Sequence, residues 1–115
     1  MWNKTLALLV LMTAGCGENL GTPPTVDCST VTVPTYSQVT IWPLCTSCHS
    51  STLSGAARHG APGDVNYDTY DAARASAGVA ASTVNAGIMP ERSATQPTAE
   101  QKSALFAWAA CGTPQ

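Results

Sequence analysis

The chain has 115 residues, a formal net charge of −2, 44% hydrophobic residues and five cysteines. That length supports one small domain and little more. The mild acidity argues against nucleic acid or an anionic membrane surface as an electrostatic partner.

Met1-Trp2-Asn3-Lys4 is a short basic segment ahead of an apolar run from Thr5 to Ala14. About ten apolar residues are too few to span a bilayer and suit the h-region of an export signal. Met12-Thr13-Ala14-Gly15-Cys16 then places small residues directly before a cysteine. This resembles a bacterial lipoprotein signal: residues 1–15 are removed and Cys16 is lipidated as the first mature residue. An ordinary secretory signal cut nearby is the alternative, and both readings export the chain. More than one acyl chain on Cys16 suffices for stable anchoring. Localisation at the periplasmic face of a bacterial membrane follows, and Gly17 in place of an aspartate tilts it towards the outer membrane.

Residues 17–34 are rich in Gly, Thr, Pro and Val and poor in charge. With Cys16 they read as a lipid-anchored tether (16–34), its last part laid on the fold by Cys28. The domain proper is expected over 35–115. Thr35 is placed to cap a helix running through Tyr36, Val39 and Trp42, which Pro43 should break or restart in its own first turn.

The next segment carries the chemistry. Cys45-Thr46-Ser47-Cys48-His49 is a C-x-x-C-H run, the signature of covalent haem attachment. Two thiols three positions apart on one helical turn can each add across one vinyl group, and the following imidazole then lies beneath the iron as an axial ligand. Two other readings of C-x-x-C are weaker here. A thioredoxin-like redox pair needs a βαβ context that the flanking sequence lacks. A structural zinc site needs four ligands, and the remaining Cys16, Cys28, Cys111 and His59 are scattered singly. One C-x-x-C-H implies one haem c.

After His49, residues 50–66 read as loop. Asp68 is placed to cap a helix through Tyr70, Ala73 and Ala77 that stops near Gly78, and a second short helix covers Ala80 to Ala86 and ends at Gly87. Ile88-Met89-Pro90 follows in extended form. Thr98-Ala99-Glu100-Gln101 is a capping box opening the last helix, with Leu105, Trp108, Ala109 and Gly112 on one stripe and Gly112 as its stop. No stretch shows strand alternation, so the fold class is all-α, few helices and long loops around one haem.

Once Cys16 is assigned to lipid and Cys45 and Cys48 to haem, Cys28 and Cys111 remain. In an oxidising compartment they most simply form a disulfide, with two free buried thiols as the alternative. On the other face of the iron, Met89 is the sole methionine left after the signal is removed, 40 residues beyond His49. A thioether ligand there stabilises ferrous iron. His59 competes for the position but sits in the Gly/Pro-rich loop directly after His49, on that ligand's side.

These features together resemble a class I cytochrome c: helix into C-x-x-C-H, loop, helices, a distal Met-Pro and a capped C-terminal helix with an aromatic. Val65-Asn66-Tyr67-Asp68-Thr69-Tyr70, Gly87-Ile88-Met89-Pro90 and Leu105-Phe106-Ala107-Trp108 are similar to small haem modules of exported bacterial lipoproteins. The resemblance spans roughly Thr35 to Gly112. It implies Cys45 and Cys48 as thioether positions, His49 as proximal ligand and Met89 as distal ligand. Pro62 would match the proline whose carbonyl accepts the proximal imidazole N–H, although Ala61-Pro62 stands where the family usually has Gly-Pro. Tyr36 or Val39 would cross Trp108.

With both axial positions filled by protein, the expected function is one-electron Fe(III)/Fe(II) transfer and not enzymatic turnover. The expected partners are other redox proteins, met through small transient interfaces. A haem-based sensor, or a haem enzyme subunit with a displaceable sixth ligand, is the alternative. The residues leave the oligomeric state open.

Overall fold

The computed structural model describes residues 19–115, so the signal, Cys16 and the first tether residues lie outside the described residues. Pro43 organises what precedes the C-x-x-C-H run. A 3-10 turn at Tyr36–Gln38 is followed by a break, and helix α1 then spans Trp42–Thr46. Pro43 is the second residue of α1, where a missing N–H leaves no helical hydrogen bond unmade. Restart, not continuation, is the outcome. Upstream, Gln38 Oε1 accepts from the Thr35 N–H, closing the turn that leads in.

A second 3-10 turn covers Gly55–Arg58, and helices α2 (Tyr70–Ala75), α3 (Ala77–Asn85) and α4 (Ala99–Ala110) complete the set. No strand occurs among the described residues, and the domain is all-α. No helix among them is long and apolar enough to cross a membrane.

Two helix boundaries differ from expectation. Thr69, not Asp68, caps α2: its side chain accepts from the Ala72 N–H. Asp68 is occupied elsewhere, accepting from the Ser51 backbone and hydroxyl. The break between α2 and α3 falls at Ser76, whose ψ of 17° leaves the helical range, and Gly78 lies inside α3. The other two stops follow expectation. Gly87, at φ 72°, ends α3 with its N–H on the Val84 carbonyl and the Ile88 N–H on the Thr83 carbonyl, the hydrogen-bond pair of a Schellman motif. Thr98 and Gln101 form the reciprocal capping box of α4, and Gly112 follows it at φ 91°.

The core is an aromatic cluster. The Trp42 and Trp108 rings meet edge to face at 5.2 Å, and Trp42 stacks on Tyr67 at 5.8 Å and on Tyr36 at 5.3 Å. Tyr36 also meets Trp108 at 6.2 Å, which brings the first turn against the last helix at this residue pair. Trp108, Leu105 and Ile41 are fully buried around it. The polar ends are satisfied: Trp108 Nε1–H and the Tyr36 N–H both donate to the Pro114 carbonyl, and Tyr36 Oη–H donates to the Tyr67 carbonyl.

Residues 19–34 contain no helix or strand, yet they run along the domain and not free of it. Gly21 passes so close to α3 that a Cβ there would meet Ala86 Cβ at 2.7 Å. Asn85 Nδ2 donates to the Thr22 carbonyl, and Pro23 and Pro24 line a small cavity together with Phe106 and Ala109. The physical reason is covalent as well as steric. Cys28 and Cys111 form a disulfide with Cα atoms 5.6 Å apart, joining this segment to the end of α4 across 83 residues. Loop closure of that length restricts the unfolded chain strongly. Replacing both cysteines by serine is expected to lower stability by about 2–4 kcal/mol, measured by urea unfolding against the wild-type protein.

Candidate functional site

The C-x-x-C-H run lies at the end of α1 and in the turn that continues it. Cys45 is in the helix, Ser47 caps it, and the N–H groups of Cys48 and His49 both donate to the Cys45 carbonyl. This turn presents Cys45, Cys48 and His49 to one cavity of about 490 Å³. Met89 and Pro90 line the same cavity from beyond α3, and Val79, Ala80, Thr83 and Val84 of α3 form part of its wall. A volume of this size is within the ~300–1,000 Å³ of small-molecule and cofactor sites. Cys45, Cys48, His49, Met89 and Pro62 are therefore brought together.

His49 is held in a defined tautomer. Its Nδ1 lies 3.1 Å from the Val65 carbonyl oxygen. A carbonyl can only accept, so Nδ1 carries the proton, and Nε2 of the neutral ring keeps a free lone pair for a ligand. The Tyr67 ring packs edge-on against the imidazole at 5.5 Å, and the Tyr67 N–H donates to the His49 carbonyl. Here the expectation for Pro62 is corrected. Its carbonyl does not face His49; it accepts from Arg58 Nη2 at 2.6 Å, and Pro62 contributes only to the cavity wall. The loop turns between Pro62 and Val65, with the Val65 N–H on the Pro62 carbonyl, so the later carbonyl is the one aimed at the ring.

Met89 is placed by the end of α3. The N–H groups of Ile88 and Met89 both donate to the Thr83 carbonyl, so the segment folds back on the helix instead of running extended as expected. The Met89–Pro90 peptide is cis. His59 follows the 3-10 turn at φ 50°, exposed at the edge of the same cavity and in the loop after His49.

Burial pushes the Cys45 thiol up to about 12. At neutral pH it is a thiol and not a thiolate. Among the described residues no group of three or more His, Cys, Asp or Glu side chains is arranged to hold a metal ion. Burial also raises the Tyr67 phenol, with the Cys45 sulfur adding to the effect.

Arg58, Val65, Tyr67 and Thr83 have structural roles at this site that the sequence did not mark. Tyr67 and Val65 fall inside the stretch that carries the family resemblance, which is the one signal available for them. Arg58 is 7% exposed and donates only to carbonyl oxygens: those of Ser50, Leu53, Ala61, Pro62 and Val65, and Asn66 Oδ1.

No family model matches the chain, and neither a curated protein nor a solved structure matches it.

Two outcomes follow from the titratable groups. In protein produced without haem, Cys45 is expected to react with iodoacetamide at neutral pH at least about tenfold more slowly than it does in denaturant. Equal rates by peptide mass mapping would contradict its burial. The second outcome concerns Asp68, whose carboxyl is held below its ordinary range by the Ser51 hydroxyl and then by the Ser51 N–H. Its stabilising contribution is present above the unfolded-state value and is lost as pH falls through the lowered folded value. Asp68→Asn should melt lower than wild type near about pH 6, with the difference closing towards about pH 2. A difference that stays constant across the acid range would remove Asp68 from the pH dependence.

Proposed function

We propose that this protein is an exported, lipid-anchored electron carrier with a small cytochrome c-like domain and one covalent haem c. The observation that carries the proposal is the convergence of Cys45, Cys48, His49 and Met89 on one cavity, with His49 Nε2 left free by the Nδ1–Val65 bond. This donor set fits the group: two thiols at attachment spacing, an imidazole of fixed tautomer and a thioether, within an apolar wall.

Bound haem supplies reversible one-electron exchange between Fe(III) and Fe(II). Cys45 and Cys48 would hold the group as thioethers, each S–H adding across one vinyl group so that nothing is released. His49, through Nε2, and Met89, through its thioether, would be the residues that hold the iron. Val65 fixes the ring of His49 through its carbonyl, and the Thr83 carbonyl fixes the backbone at Met89. A haem held by both residues would exchange electrons with transient redox partners at the cavity mouth, without substrate chemistry of its own. Cys16 carries the lipid, and the domain is held at the periplasmic side of the membrane.

A pyridine haemochrome assay on protein matured with haem-attachment machinery is expected to give one haem per chain with both vinyl groups saturated. The oxidised protein should be low-spin with a weak long-wavelength band from thioether ligation. Met89→Ala should abolish that band and let the reduced protein bind CO. Rapid CO binding by the wild-type reduced protein would instead favour the sensor or enzyme-subunit reading. Absence of covalent haem would overturn the proposal.

A further inference from the structure

One carbonyl oxygen under the proximal histidine receives two donors. Val65 O lies 3.1 Å from His49 Nδ1 and 3.1 Å from Arg58 Nη2. The guanidinium is more than nine-tenths buried, and none of its acceptors among the described residues is a carboxylate. Its positive charge is therefore compensated by dipoles alone. The same guanidinium draws Ser50, Leu53, Ala61, Pro62 and Asn66 inwards, so the loop that carries Val65 is built around it.

We propose that Arg58 is a positioning residue for His49, setting through the shared Val65 carbonyl how strongly the Nδ1 proton is drawn from the ring. This role rests on the haem reading above. A carbonyl already engaged by a cation has less electron density to offer a second donor. The imidazole then gains less anionic character and pushes less charge onto the iron, which favours Fe(II). A cation without a carboxylate partner on the wall of the same cavity would act in the same direction, because it would oppose the additional charge of Fe(III). Both effects raise the reduction potential. A purely structural arginine would hold the loop and leave the iron unaffected.

The test uses haem-loaded protein and two readouts, the midpoint potential and the Fe–His stretching frequency. The latter is taken in a Met89→Ala background, where the reduced iron has an open distal face. Arg58→Met removes the charge and the fork. The equilibrium constant for reduction should fall by about tenfold, 59 mV for one electron, with an upward shift of the Fe–His frequency. Arg58→Lys keeps the charge and should fall less. Where Arg58→Met does not accumulate, Asn66→Asp places a carboxylate on Nη2 at the position of the present amide oxygen. It should also raise the Fe–His frequency, an effect that a charge acting only through space does not produce. Unchanged potential and frequency in these variants, in protein that carries haem, would overturn the role of Arg58 alone. A wild-type chain that takes up no haem would overturn the reading of the site, and this role with it.

Discussion

The Trp42 indole is the constraint on which the rest of the structure depends. It is the first residue of α1, three positions before Cys45, and it is clamped on three sides by Tyr36, Tyr67 and Trp108. Aromatic contacts of this kind contribute about 0.5–1.5 kcal/mol each beyond the area they bury. Their positional consequence is larger. A helix of five residues has almost no independent stability. The direction in which it points Cys45, Cys48 and His49 is therefore decided by where its tryptophan is gripped. Tyr67 transmits the grip directly, stacking on Trp42 with one face and meeting the His49 ring at its edge.

Between His49 and α2 the chain has one short 3-10 turn and no other regular structure. Its backbone groups must be satisfied by something other than a ladder. Two side chains do much of this. Arg58 gathers main-chain carbonyls from Ser50 to Val65, and Asp68 receives the Ser51 N–H from across the loop. A buried cation surrounded by carbonyl dipoles is expensive to desolvate and is tolerated only when its donors are matched. That requirement makes the loop specific. Moving Val65 would strand part of the guanidinium and the imidazole N–H together.

What was legible in the sequence and what was not divides along the same line. Local chemistry was legible at several positions, though Gly78 lies inside α3 and the segment at Met89 folds back on the helix. Pro43 had to restart a helix because it lacks an N–H, Thr98 and Gln101 had to open one, and Gly87 had to end one because only glycine adopts its backbone angles without strain. The expected Cys28–Cys111 disulfide is present. Other errors lie where a distant partner decides. Asp68 and Thr69 are both good caps, and the choice between them was made by Ser51, seventeen residues earlier. The carbonyl that meets His49 was misassigned because every residue of the loop has one. Arg58 counted only as charge, since a lone arginine in a polar loop ordinarily belongs to the solvated surface.

The cavity places α1 between two environments. On one side the chain's own large side chains fill the interior, with Trp42, Tyr67, Leu105 and Trp108 all buried. On the other, α3 offers Ala80 and Thr83 with the modest Val79 and Val84, side chains too small to close the space. Val79 and Ile88 remain exposed at this cavity, as does Leu20 from the N-terminal strap. A group that binds the folded chain alone stabilises it by RT ln(1 + [L]/Kd), an amount that rises with ligand concentration. Covalent attachment removes that dependence, because the group cannot leave when the chain opens. On the proposed reading, Cys45 and Cys48 thus do more than locate haem. They make the second half of the core a permanent part of a domain too small to supply both halves from its own residues.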